Sequence, residues 1–140
     1  MLDLFSGTGN LGIEALSRGA KDAVFVDKSE QCIGLIKENL LHTKLSEKST
    51  TIKGEVVEIL KRLSIKGEKY DLIFLDPPYN KSLVEETLRI IERCDLLRSD
   101  GIIIAEKDIE DKVANEIGRL CLVSEHKYGD TVLVKYKVRG

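Results

Sequence analysis

Five short apolar runs recur along the chain, and each is followed by a stretch whose apolar residues fall at helical spacing. Met1 to Phe5, Ala23 to Val26, Ser49 to Lys53, Tyr70 to Leu75 and Gly101 to Glu106 read as strands. A helix opens after Gly7-Thr8-Gly9 and runs to about Ser17, with Leu11, Ala15 and Leu16 turned inward. The next runs from Ser29, a good N-cap residue, to about Leu41, carrying Cys32, Leu35, Ile36 and Leu40. A third is marked by Val56, Ile59, Leu60 and Leu63, a fourth opens at Ser82 with Leu83, Thr87, Leu88 and Ile91 facing in, and a short one covers Asp111 to about Gly118. Alternation of this kind implies an α/β fold, a mostly parallel sheet covered on both faces by right-handed crossovers.

The end of the chain departs from the alternation. Leu120 to Tyr128 and Thr131 to Val138 are strand-like and joined by Gly129-Asp130, a pair suited to a two-residue hairpin turn, so the sheet should close with one antiparallel strand. At 140 residues without repeat or linker, the expectation is a single domain over residues 1–140. Cys32, Cys94 and Cys121 lack the spacing of a disulfide framework or a zinc site, which suits a reducing cytoplasm. No signal peptide or membrane span is evident, and the net charge of −2 supplies no electrostatic footprint for nucleic acid.

Gly7-Thr8-Gly9-Asn10-Leu11-Gly12 satisfies G-x-G-x-x-G between a strand and a helix, and Asp27 ends the second strand. A carboxylate there can accept both hydroxyls of a ribose, while glycines let a ligand lie against backbone N–H groups at the helix start. Alone, the pattern would suggest NAD; a packing turn is the plain alternative. Asp3 argues otherwise, since a carboxylate beneath the turn suits an ammonium better than a pyrophosphate. S-adenosylmethionine, with an amino acid end, a ribose and an adenine, fits Asp3 and Asp27. Glu55, or the N–H of Val56, can meet the adenine edge, though Glu55 also reads as a first-turn acid favoured by the helix dipole. Lys28 either flanks the adenine or is a solvated helix-start lysine.

The fourth strand ends in Asp76-Pro77-Pro78-Tyr79. Both prolines lack N–H donors and hold a stiff backbone, so the Asp76 carboxylate and the Pro77 carbonyl stand as adjacent acceptors beside the Tyr79 ring. Two acceptors and a ring face suit a flat group bearing an –NH2. A proline turn with a capping Asp is the alternative. Lys81 is placed to meet a phosphate or only water, and His42 and His126 read as surface residues.

Together, Leu2 to Gly12, Glu14 to Ala20, Asp76-Pro77-Pro78-Tyr79 and Tyr128-Gly129-Asp130-Thr131 resemble the RsmD family of bacterial 16S rRNA guanine-N2 methyltransferases. The resemblance runs from end to end. It implies a Rossmann-like class I methyltransferase fold of seven strands, the last antiparallel, S-adenosylmethionine as methyl donor, and a guanine of the small ribosomal subunit rRNA as target. By motif match Asp3, Phe5, Ser6, Gly7 and Gly9 line the methionine end, Asp27 the ribose, and Glu55 and Val56 the adenine; Asp76 to Tyr79 hold the target base. The family usually carries a basic segment ahead of the first strand, so this chain reads as a piece of a longer protein or as a member lacking it. A DNA adenine-N6 methyltransferase, a NAD-dependent oxidoreductase and a non-catalytic cofactor- or partner-binding fragment are the rival readings.

Overall fold

The computed structural model describes residues 1–77 and 83–139. In chain order the elements are β1 (Leu2–Leu4), α1 (Asn10–Ser17), β2 (Ala23–Asp27), α2 (Glu30–His42), β3 (Ser49–Lys53), α3 (Val56–Ile65), β4 (Tyr70–Leu75), α4 (Leu83–Arg93), β5 (Leu97–Asp108), β6 (Glu116–Ile117), β7 (Leu120–Tyr128) and β8 (Thr131–Val138). The strands form one sheet in the order β3-β2-β1-β4-β5-β8-β7-β6. The pairs among β3, β2, β1, β4 and β5 are parallel. β8 lies antiparallel to both β5 and β7, so it is the one long reversed strand. The chain leaves β1 toward one edge and returns at β4, which puts a topological switch point between β1 and β4, where α/β sheets bind ligands.

The central strands are buried on both faces, as their continuous apolar runs require. Leu4, Ile73, Leu75, Ala105 and Val134 pack under α3 and α4 through Ile59, Leu60, Val84, Leu88 and Ile91. The opposite face packs Phe25 against Leu16 of α1 and Ile33, Ile36 and Leu40 of α2. Two inward assignments change: Leu11 is 43% and Leu35 40% exposed. On α2 the stripe at i, i+3 and i+7 is Ile33, Ile36 and Leu40, from which Leu35 is displaced. On α1 the residue against the sheet is Gly12, where a Cβ would overlap the Phe25 ring, and Leu11 turns away.

The helix expected over Asp111 to Gly118 does not form. Its backbone groups are claimed from elsewhere: the Ala114 N–H donates to the Glu85 carboxylate at 2.7 Å, and its carbonyl accepts from the Tyr136 hydroxyl at 2.7 Å. Asn115 accepts from the Leu122 N–H, and Glu116–Ile117 pair with β7 as a short antiparallel strand. With those groups satisfied by tertiary partners, helical hydrogen bonding has none to use. This adds an eighth strand to the seven expected. β5 also begins earlier than expected. Tyr70 pairs with Leu97 and Leu72 with Ile102, so β5 carries a bulge, and at Gly101 any Cβ would stand 2.6 Å from Leu97 Cδ1. Among the described residues no helix is long and apolar enough to cross a membrane.

Candidate active site

The carboxyl ends of β1, β2, β3 and β4 open into a cleft of about 700 Å³ at the switch point. Its first wall is the turn after β1, where Phe5, Gly7 and Gly9 take φ of 59°, 60° and 80°. For Phe5 this left-handed conformation is costly and must be held by its surroundings. Ser6 does much of the holding: its hydroxyl donates to the Asp3 carbonyl at 2.6 Å and accepts from the Val26 N–H at 3.1 Å. The Gly9 N–H closes the turn on the Ser6 carbonyl at 2.9 Å.

Two carboxylates then complete the turn. Asp27 accepts the Gly7 N–H at 2.9 Å on one oxygen and the Ser29 N–H at 2.9 Å on the other. Asp3, only 3% exposed, accepts the Gly12 N–H at 3.3 Å. Gly7 and Gly12 are thus already donating to side chains, where a dinucleotide site would offer such N–H groups to a pyrophosphate. Two of the backbone donors that the glycine pattern would offer to a pyrophosphate are therefore taken, which weakens the case for NAD.

The charges point the same way. Asp3, Asp27, Glu55 and Asp76 line the cleft with Lys28 as the cation among its described lining residues. Burial, opposed by the Gly12 N–H and reinforced by Asp76 and Asp27, pushes the Asp3 carboxyl up to about 7. A cleft of this kind suits a cationic ligand. At its far wall Asp76 follows β4 and Glu106 lies near the end of β5, with the preceding residues Leu75 and Ala105 in register. The two carboxyl groups each influence the other's ionisation. Loss of water raises Asp76, an effect that Glu106 offsets in part; Glu106 is raised by loss of water and by the neighbouring Asp76.

Of the residues singled out from sequence, Asp3, Phe5, Ser6, Gly7, Asp27, Lys28, Glu55, Val56 and Asp76 line this one cleft. Gly9 does not: it is buried as the N-cap of α1, with a Cβ position 3.2 Å from Ile36. Pro77 is half-buried next to Asp76 without lining the cleft. Pro78, Tyr79, Lys81 and Ser82 lie outside the described residues. Thr8, Asn10, Leu11, Ser29, Val57, Leu83 and Thr87 also line the cleft and were missed. Leu11 and Val57 carried a signal, being apolar residues in the first turns of helices that follow the motif loops. Among the described residues no three His, Cys, Asp or Glu gather into a metal site.

A sheet ordered 3-2-1-4-5 with a reversed strand inserted next, and a ligand cleft at its switch point, defines the Rossmann-like class I methyltransferase fold. An Escherichia coli structure provisionally titled a methyltransferase, yhhF, superposes with a TM-score of 0.86 at 27% identity, over 98% of this chain and 74% of that one. The family model described as "Conserved hypothetical protein 95" matches residues 1–137, and the chain belongs to that family, the RsmD family. YlbH of Bacillus subtilis, provisionally named an rRNA methyltransferase, is 36% identical over 99% of this chain and 76% of its own length. Ribosomal RNA small subunit methyltransferase D of Escherichia coli K12 is 30% identical over 79% of this chain. The chain spans 54% of the length of that relative.

Proposed function

We propose that this chain is an S-adenosylmethionine-dependent methyltransferase that modifies the exocyclic N2 amino group of a guanine in small-subunit rRNA, in the cytoplasm where that RNA is assembled. The observation that carries the reading is the acidic cleft in which Asp3, Asp27 and Asp76 converge while the Gly7 and Gly12 N–H groups are already engaged. The names of the rRNA methyltransferase relatives support the choice of RNA, and the Asp76-Pro77-Pro78-Tyr79 motif supports an amino nitrogen as the target.

The residues present fit the cofactor by their chemistry. Asp3 offers a desolvated carboxylate to an ammonium, which would draw its pKa back down. Asp27 has lone pairs left beyond its two N–H partners for ribose hydroxyls, and Glu55 and Val56 open α3 where an adenine edge would lie. When bound, S-adenosylmethionine supplies an electrophilic methyl on a sulfonium, which departs with the sulfur keeping the electron pair. Asp76 and the Pro77 carbonyl accept the two amino protons of the base, freeing the nitrogen lone pair and stabilising the positive charge that develops there. The family resemblance gives Tyr79, which lies outside the described residues, the task of stacking on the base, and alignment of this kind would supply much of the acceleration.

Calorimetric titration with S-adenosylhomocysteine, with NAD alongside, tests the cofactor. Binding of the first alone is expected, and binding of NAD alone would overturn the reading. Transfer of a labelled methyl to small-subunit rRNA, followed by nucleoside analysis, tests the target: N2-methylguanosine is expected, and N6-methyladenosine would replace it.

A further inference from the structure

Asp3 is the most enclosed of the charged residues that line the cleft, and its place in the sheet explains why. Parallel pairing sets it opposite Phe25 on β2 and Phe74 on β4, and residues so paired share a face, so its carboxyl rises from a row flanked by two aromatic rings. α1 closes over that row: a Cβ at Gly12 would overlap the Phe25 ring and stand 3.2 Å from an Asp3 oxygen. Among the described residues the donor that Asp3 meets is the Gly12 N–H, at 3.3 Å, and it enters no ion pair. Asp27, by comparison, has a donor at 2.9 Å on each oxygen. The charges around Asp3 are mostly like its own. β2 brings Asp27, the end of β4 brings Asp76 and the start of α3 brings Glu55; Lys28, after β2, is the cation among the described lining residues. Glu106 lies one strand beyond Asp76, on β5. α1 contributes Asn10 and Leu11 and α4 Leu83 and Thr87, all uncharged, and neither His42 nor His126 lines the cleft. A carboxyl this dry, with one long hydrogen bond and acids for neighbours, ionises reluctantly unless a cation reaches it.

We propose that Asp3 selects the ligand of this cleft by exchange: the ammonium of the cofactor's amino acid end takes the place of a proton on the Asp3 carboxyl, so binding releases that proton, and nucleosides without an ammonium are held weakly. The proposal rests on the S-adenosylmethionine reading above. The balance is one proton out for one ammonium in. The Asp3 O–H bond breaks, its electron pair stays on the carboxylate, the proton goes to water, and an N–H of the ammonium donates to the oxygen left behind. The ligand's ammonium keeps its own protons. Burial holds the Asp3 carboxyl up to about 7, so below that value binding must expel a proton and affinity falls with pH; above it the carboxylate is already bare and affinity is level. Affinity at pH 6 should therefore be about tenfold lower than at pH 8, with about 0.9 proton released per ligand at pH 6 and about 0.1 at pH 8. S-adenosylhomocysteine carries the same ammonium without the sulfonium charge, so it reports the exchange by itself.

Calorimetric titration with S-adenosylhomocysteine at pH 6, 7 and 8, in paired buffers of different ionisation enthalpy, reads affinity and proton release together. The control ligand is 5′-methylthioadenosine, which has the adenine, the ribose and the sulfur but no amino acid end. It should bind at least about tenfold more weakly at pH 8, with no proton released and no dependence on pH. Asp3→Asn should abolish both the release and the slope for S-adenosylhomocysteine, so its deficit against wild type narrows from about a hundredfold at pH 8 to about tenfold at pH 6. A second readout needs no variant: the Asp3 carboxyl carbon, followed by NMR in protein labelled with 13C at Asp, should titrate near 7 without ligand and at lower pH when saturated with S-adenosylhomocysteine. Binding of S-adenosylhomocysteine that is level from pH 6 to 8 and releases no proton overturns the exchange and leaves the cofactor reading standing. Release that persists in Asp3→Asn overturns the assignment to Asp3. Methylthioadenosine that binds as tightly, or releases as many protons, overturns the role of the ammonium. No binding of S-adenosylhomocysteine at any pH overturns the cofactor reading and the proposal with it.

Discussion

The two walls of the cleft are built on opposite terms. On the first-turn wall carboxylates meet backbone donors: Asp27 takes the Gly7 and Ser29 N–H groups and Asp3 takes that of Gly12. On the wall formed by β4 and β5, carboxyl meets carboxyl at Asp76 and Glu106. The first arrangement locks a geometry and suits holding a ligand. The second sets two carboxyls of raised pKa side by side and suits chemistry in which a proton must move. Separate damage to binding and to transfer is what this division implies.

The largest effect should come from the second wall. Asp76→Asn keeps the size of the side chain but loses the charge facing the amine, and removal of one such group costs roughly 10²–10³ in rate. Single-turnover transfer should fall by that order while S-adenosylhomocysteine affinity stays within about threefold, since a group acting mainly in the transition state contributes little to ground-state binding. An equal loss of both would erase the distinction between the walls.

Asp3→Asn strikes the first wall and should do the reverse of what a core substitution usually does. In the unfolded chain Asp3 ionises near 3.8, whereas in the fold its carboxyl is held up to about 7. Between those values the folded state binds the extra proton, so stability falls as pH rises through that window and is level above it. At about 1.4 kcal/mol per pH unit the ionised form costs the fold on the order of 4 kcal/mol. Asn lacks that cost. Urea denaturation should find the variant more stable than wild type by about 4 kcal/mol at pH 8, and about equal at pH 4. The same substitution should weaken S-adenosylhomocysteine binding by about a hundredfold, as the loss of a buried charge pair implies. A variant that binds as well as wild type would remove Asp3 from the ligand site.

Gly12→Ala probes the same wall through packing. A Cβ there would overlap the Phe25 ring and lie 3.2 Å from the Asp3 carboxylate, so α1 must shift. The expected loss is about 1–3 kcal/mol in denaturant unfolding, accompanied by weaker cofactor binding. An unchanged melting curve would mean that α1 can be displaced freely, against the idea of a locked wall.

These walls were unequally legible in the amino-acid sequence. Asp3, Asp27 and Asp76 stood out because each sits within or at the end of an apolar run, where a charge is conspicuous. The strands were readable for the same reason. Glu106 was not, because its meaning comes from lying beside Asp76, and that depends on the β4–β5 register, which the bulge at Gly101 offsets. Local spacing holds no record of such an offset. Asp111 to Gly118 misled for a related reason: its helical pattern was real, but Glu85 and Tyr136, distant in sequence, take the backbone groups. Gly9 was recognised as special, but a glycine demanded by positive φ and close packing looks the same in sequence as one that admits a ligand.

The smallest effect should come from Ser29→Ala, and it bears on what fixes Asp27. Ser29 acts twice. Its hydroxyl caps α2 by accepting the Cys32 N–H at 3.3 Å, and its own backbone N–H donates to Asp27 at 2.9 Å. Alanine removes the first bond and keeps the second. Loss of an N-cap hydroxyl costs about 0.5–2 kcal/mol, nearer the lower end for a bond this long. If backbone donors alone orient Asp27, S-adenosylhomocysteine should bind the variant as it binds wild type while the melting temperature drops by a few degrees. If affinity falls along with stability, the start of α2 is itself part of the cofactor wall, and the geometry of Asp27 depends on the cap.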